Sequence, residues 1–279
     1  MTTKAGGAKG LKSVIKRSRE SLNPQSIMEF VKYEKKGPVI VVSLNRPERL
    51  NALGVQVREE LTQAWKMLAE DPEARVAILT GTGRAFCAGI DIKEMSRRIF
   101  HEYFPDPAKQ PFHPRMQPKP VVAAVNGLAL GGGFDLLAMG ADICIAAESA
   151  VFGMPEVIHG IFSLGTPFAV HRIPLNIAME LILVGDNITA RRAYEIGFVN
   201  KVVPDDQLMP EALRVASRIA EHPPVALKLI RQNLLKATQA SESAYILEHY
   251  LHNETRASGD FAEGMQAFAE KKKATSKQE

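Results

Sequence analysis

With 279 residues and 46% hydrophobic content, the chain can bury a substantial core, as one domain with a helical appendage or as two domains. No apolar run reaches the roughly 20 residues of a membrane span, and two cysteines, Cys87 and Cys144, behind a start without a secretory h-region favour free thiols in a reducing compartment. The net charge of +4 is concentrated near the start, where Lys4, Lys9, Lys12, Lys16, Arg17 and Arg19 stand against Glu20 alone, so the remainder offers no basic face of the kind nucleic-acid binding needs.

Residues 1–28 read as a basic, flexible extension, with 11–19 able to form a short amphipathic turn. Their lack of acids before Glu20 also fits a transit segment, and a partner-docking helix is a third reading. Residues 30–34 and 39–44 then predict strands around Lys36-Gly37-Pro38, and 53–70 has helical spacing. Residues 76–80, 121–125 and 142–146 are short apolar runs of the buried-strand type. Continuous apolar strands alternating with helices predict an α/β fold with a covered sheet. Residues 95–120 are rich in proline and carry Phe100, Tyr103, Phe104 and Phe112, either as a lid lining a pocket or as rings anchoring a surface loop. From 209 onward strands fade, and 210–221, 225–240 and 241–273 predict successive helices.

Two Gly-punctuated turns carry the chemistry. Ala88-Gly89-Ile90-Asp91 and Gly131-Gly132-Gly133 can present backbone N–H groups where a side chain would obstruct a ligand. Asp135 lies in the apolar run Phe134-Asp135-Leu136-Leu137, where a carboxylate is costly to bury unless paired or protonated, and Glu156 follows Phe152-Gly153-Met154-Pro155. Bland readings are a capping or dipole-compensating role for Asp135, a solvent-facing or salt-bridged acid for Glu156 and tight helix–strand packing for the glycines. Two N–H donors beside an acid pair suit reactions through an enolate, in which charge builds on a carbonyl oxygen. There is no G-x-x-x-x-G-K-[ST], G-x-G-x-x-G, H-E-x-x-H or C-x-x-C, and Ser163 lacks the glycine two residues before it that a nucleophile elbow requires.

These segments, together with Leu44-Asn45-Arg46-Pro47, Leu50-Asn51-Ala52-Leu53 and Glu263-Gly264-Met265-Gln266-Ala267-Phe268, closely resemble the crotonase (enoyl-CoA hydratase/isomerase) superfamily over residues 29–273. The resemblance implies a spiral of repeated ββα units over 29–208, with a helical region over 209–279 for CoA contact and oligomerisation. It implies the backbone N–H groups of Ile90 and Gly132 as an oxyanion hole, with Gly131 and Gly133 shaping the turn and a helix opening at 132–134 adding its dipole. It places the acid/base pair at Asp135 and Glu156, with Glu156 as base and Asp135 holding the water. It puts CoA against Leu50, Ala88, Asp91, Ile92, Lys93, Phe268 and Lys271, although Lys271 also reads as a solvated helix end.

The implied activity is hydration of the 2,3 double bond of an enoyl thioester. CoA would be part of the substrate, with no metal and no other cofactor, and the assembly a homotrimer or a dimer of trimers. The location would be cytoplasmic, or the mitochondrial matrix if residues 1–20 are a transit segment. Alternatives are an enoyl- or dienoyl-CoA isomerase, another crotonase-type hydrolase or lyase, and a non-catalytic protein binding RNA through the basic tail. Two departures bear on these. The first acid is Asp where hydratases of this family carry Glu, a feature shared with dienoyl-CoA isomerases, but the further acid of those isomerases falls at Leu164. The family's Gly-rich stretch becomes the bulkier residues 160–168, with His159 beside it reading as structural rather than catalytic.

Overall fold

The computed structural model describes residues 28–95, 112–163 and 169–237, with Glu263, Gln266, Ala267 and Glu270. Residues 1–27, the aromatic stretch 96–111, residues 164–168, and everything beyond 237 apart from those four residues, Phe268 and Lys271 included, lie outside them, and with them most of the helices expected over 241–273.

Strands β1 (Val31–Lys36) and β2 (Val39–Leu44) form the antiparallel hairpin expected around Gly37. Strands β3 (Val76–Gly81), β5 (Val121–Val125), β7 (Ile143–Ala147) and β10 (Lys201–Val203) extend it in parallel, giving one sheet ordered β1-β2-β3-β5-β7-β10. The apolar runs are continuous because both faces of this sheet are covered. Ile40, Val42, Leu79 and Ala123 face a large core, whereas the alternating Val41, Ile78, Val122 and Ala124 face a second one.

Helix α1 (Val55–Glu70) closes the first core with Val57, Leu61, Ala64, Trp65 and Leu68, a stripe at helical spacing. Its first turn is satisfied from a distance, since Glu94 of the short helix α2 (Ile92–Met95) accepts from the Val55 N–H at 3.3 Å. Helices α3 (Leu175–Val184) and α4 (Ala190–Glu195) precede β10 in the chain. Helix α5 (Leu208–Ala220) covers the second core with Leu208, Ala212 and Ala216. A division at 208/209 therefore falls at the first residue of a helix packed on the sheet. Helix α6 (Pro224–Ala237) is pinned by buried Arg231, which ion-pairs with Asp142 at 2.8 Å and donates to the Gln117 carbonyl at 2.5 Å.

A second, four-stranded sheet carries the candidate site. Its order is β4 (Ala85–Cys87), β6 (Leu128–Leu130), β8 (Val151–Gly153) and β9 (Ile188–Thr189), the first three parallel. The chain after β6 differs from the single helix expected there. Gly131–Gly133 make a 3-10 turn and Phe134–Ala138 a π-helical turn, closed by the Met139 N–H on the Phe134 carbonyl at 2.8 Å. A regular α-helix cannot start at Gly131, whose φ is +47°, and Gly133 is pressed so close to the Cys87 carbonyl that no Cβ fits. No helix among the described residues is long and apolar enough to cross a membrane.

Candidate active site

Because β4, β6 and β8 are parallel neighbours, the segments leaving their C-terminal ends meet at one edge of the small sheet. Cys87 leads into the Ala88–Asp91 turn, Leu130 into the glycines and Asp135, and Gly153 into the 3-10 turn Pro155–His159 with Glu156. Sites far apart in the chain are thus placed together by strand register.

The turn after β4 is fastened to the loop at 50–53. The Ala88 N–H donates to the Leu50 carbonyl at 2.9 Å, the Leu53 N–H to the Gly89 carbonyl at 2.7 Å, and the Asp91 N–H to the Leu53 carbonyl at 3.4 Å. Among the described residues the Ile90 N–H, in the middle of this ladder, has no acceptor. The loop itself is held by Asn51, which is fully buried and left-handed at φ 57°. Its side chain accepts from the Arg46 N–H at 2.8 Å and donates to the Ala85 carbonyl at 2.7 Å. Gly89, at φ 89°, backs onto the glycine turn so closely that a Cβ there would stand 3.3 Å from the Gly132 nitrogen. A Cβ on Gly132 would in turn lie 3.6 Å from the Ile90 side chain, so the two turns are in contact.

The acids lie beside it. Asp135 is buried, with its Oδ2 accepting from the Ser163 hydroxyl at 3.1 Å. The adjacent Phe134 is locked into a cluster with Phe152 and Phe198, at ring centroid distances of 5.4 and 5.0 Å. Glu156 has an inaccessible Oε2 with no hydrogen-bond partner, and its Oε1 occupies the space over Gly131, where a Cβ would come within 2.5 Å of it. Burial first, and then the negative charge of Asp135, push the Glu156 carboxyl up to about 8. Asp135 is thus buried, and Glu156 is half-buried with one oxygen closed to solvent rather than a solvent-facing acid.

The expected CoA contacts sit on the same side, with differing engagement. Leu50 and Ile92 are half-buried and Lys93 is exposed at the start of α2. The Asp91 carboxylate pairs with Arg46 at 2.9 Å and caps the Glu94 N–H at 3.2 Å, so its side chain braces the loop. Phe112, one of the rings read either as lining a pocket or as anchoring a loop, packs against the core. Its carbonyl accepts from Trp65 at 2.7 Å and its ring lies 5.9 Å from the Arg58 guanidinium. His159 is half-buried, with burial lowering its pKa. Both cysteines are buried free thiols, pushed up to about 12 by that burial. Among the described residues no group of three or more His, Cys, Asp or Glu is arranged to hold a metal ion.

Sequence reasoning considered Ser163 only as a nucleophile and missed its contact with Asp135, because the pair lies 28 residues apart and no spacing rule links them. It likewise quoted Asn51 as a signpost without its stapling role, for which the buried left-handed backbone is the physical sign.

The family model of enoyl-CoA hydratase/isomerase matches residues 34–279. The chain is 38% identical to a mitochondrial enoyl-CoA hydratase of Pongo abelii, with 89% of this chain and 88% of that protein aligned. It is 39% identical to a short-chain-enoyl-CoA hydratase of Clostridium acetobutylicum, over 86% of this chain and 94% of the other. The fold superposes on the crystal structure of a carnitinyl-CoA hydratase from Mycobacterium avium with a TM-score of 0.82, at 34% identity over 89% of this chain and 98% of that one. The chain belongs to the enoyl-CoA hydratase/isomerase family, and its fold is the crotonase one.

Proposed function

We propose that this protein is an enoyl-CoA hydratase, a hydro-lyase that adds water across the 2,3 double bond of an enoyl thioester. The observation that carries the reading is the juxtaposition of buried Asp135 and half-buried Glu156, whose Oε2 is inaccessible, with the Ile90 N–H, which has no acceptor among the described residues, beside Gly132. In the proposed reaction the thioester oxygen lies against the Ile90 and Gly132 N–H groups, which take up the charge of the enolate; one such donor is worth on the order of 10²–10³ in rate.

The roles of the two acids are proposed from the raised carboxyl of Glu156. With its carboxyl raised by burial, Glu156 gives its proton to the α-carbon, and Asp135 takes a proton from the water that attacks the β-carbon, which reverses the base role that the family resemblance implies for Glu156. One proton is lost and one gained by the pair, and transfer between the two acids restores the starting state. This chemistry needs no metal or redox cofactor.

CoA would run over Leu50, Ala88, Ile92 and Lys93 and the backbone of Asp91, with Phe268 and Lys271 as further contacts outside the described residues. We also propose a homotrimer or a dimer of trimers, supported by the apolar side chains exposed on α3 and α6, and a location in the cytoplasm or the mitochondrial matrix.

Incubation with a panel of enoyl- and dienoyl-CoA thioesters in H₂¹⁸O tests the activity. Incorporation of one ¹⁸O at the β-carbon is expected. A shifted double bond without oxygen incorporation would replace the hydratase reading by an isomerase.

A further inference from the structure

The proposed acid pair is built from one long side chain and one short one, and the short one has a dedicated partner. Asp135 reaches one methylene less far than a glutamate in its place, and its backbone sits in a π-helical turn rather than a regular helix. Its carboxylate is nevertheless held from outside that turn. Ser163, itself buried, comes from the segment after the Pro155–His159 turn and donates its hydroxyl to Oδ2 at 3.1 Å. Ser163 therefore follows Glu156 by only seven residues, so the segment that carries one acid also grips the other.

We propose that Ser163 is the positioning residue of the acid pair: its hydroxyl fixes the rotation of the Asp135 carboxylate and sets it against Glu156. Two flanking restraints already hold the Asp135 backbone, the Phe134 ring in its aromatic cluster and the Met139 N–H on the Phe134 carbonyl. A hydroxyl donating to Oδ2 restrains the carboxylate itself, and displacement of a reacting group by about 1 Å can cost about 10² in rate. The proposal rests on the hydratase reading for the identity of the reaction, but the contact and its effect on proton transfer can be read without it.

The test compares wild type with Ser163→Ala, Ser163→Cys and Ser163→Thr, each checked for folding by circular dichroism. With 2-butenoyl-CoA, Ser163→Ala lowers kcat about tenfold and leaves KM within about twofold, as expected for one hydrogen bond to a charged group that acts on the reacting geometry rather than on substrate binding. Ser163→Thr, which keeps the hydroxyl, recovers most of the rate. Ser163→Cys, a weak donor of similar shape, stays near the alanine level and carries the test if the alanine variant does not fold. In an Asp135→Asn background the further loss from Ser163→Ala shrinks to about twofold or less, because the two side chains act as one unit.

If the wild type hydrates none of the thioesters tried, the hydratase reading falls, and the same variants are compared by solvent deuterium exchange into the α-carbon of butanoyl-CoA. That exchange needs the acids but no water addition. Equal kcat or equal exchange in wild type and a folded Ser163→Ala overturns the positioning role, as does full additivity with Asp135→Asn, a rise in KM alone, or the absence of both reactions in the wild type.

Discussion

At the scale of single residues, burial decides what each acid can do. Glu156 has an inaccessible oxygen with no partner, so ionisation leaves an uncompensated charge, and its carboxyl is raised to about 8 by burial and by Asp135. The consequence for stability has a definite sign. Below the ordinary glutamate range Glu156 is neutral in both the folded and unfolded chains. As the pH rises through that range the unfolded chain ionises first, so the folded state loses stability until the pH passes about 8, after which the difference is constant. Glu156→Gln should remove this component. Thermal denaturation near pH 4, pH 7 and pH 9 should show the variant gaining on the wild type step by step, and parallel melting curves would mean that Glu156 ionises normally. The same variant should lose about 10²–10⁴ in turnover, since the amide cannot exchange the proton.

At the scale of elements, the glycines after β6 have separate reasons for being glycine. Gly133 is small because the Cys87 carbonyl leaves no room, which is the packing role a triple glycine commonly has. Gly131 combines a positive φ with the Glu156 carboxylate overhead. Gly131→Ala should therefore displace Glu156 and cut kcat by at least tenfold, whereas Gly37→Ala, with φ 61° but open space around it, should cost about 1 kcal/mol of stability and leave kcat unchanged. If both variants kept full turnover, the space over Gly131 would not matter for Glu156. The strands were legible because buried apolar runs bounded by turn residues have few other readings: the expected 39–44 and 121–125 coincide with β2 and β5. The irregular turn at 131–138 was not. Its conformation comes from the contact of Gly133 with Cys87, some 46 residues earlier, which no local pattern encodes. The two acids could be singled out from an apolar context and a family motif, but the raised carboxyl of Glu156 depends on depth, and depth is a property of the folded chain.

At the scale of the whole molecule, the described surface is uneven. Helix α3 exposes Leu175, Met179, Leu183 and Val184, and the turn bearing Glu156 adds Val157 and Ile158 beside it; Leu183 is 65% exposed. Scattered apolar residues on a surface need no explanation, but a contiguous group on one helix and its neighbouring turn is the pattern of a contact between subunits. Its position matters for function, because Val157 and Ile158 follow Glu156 directly and cover Gly185 at the end of α3, where a Cβ would come within 2.9 Å of the Ile158 side chain. Assembly over this face would brace the turn that carries the acid. Leu183→Glu places a charge in the middle of it without touching a buried side chain. Sedimentation at micromolar concentration should show the wild type as a trimer or hexamer and the variant as a smaller, folded species, with kcat lowered along with the loss of assembly. A variant that stays assembled would remove α3 from the interface. A dissociated variant with undiminished turnover would leave the interface in place but show that the Glu156 turn holds its shape within one subunit.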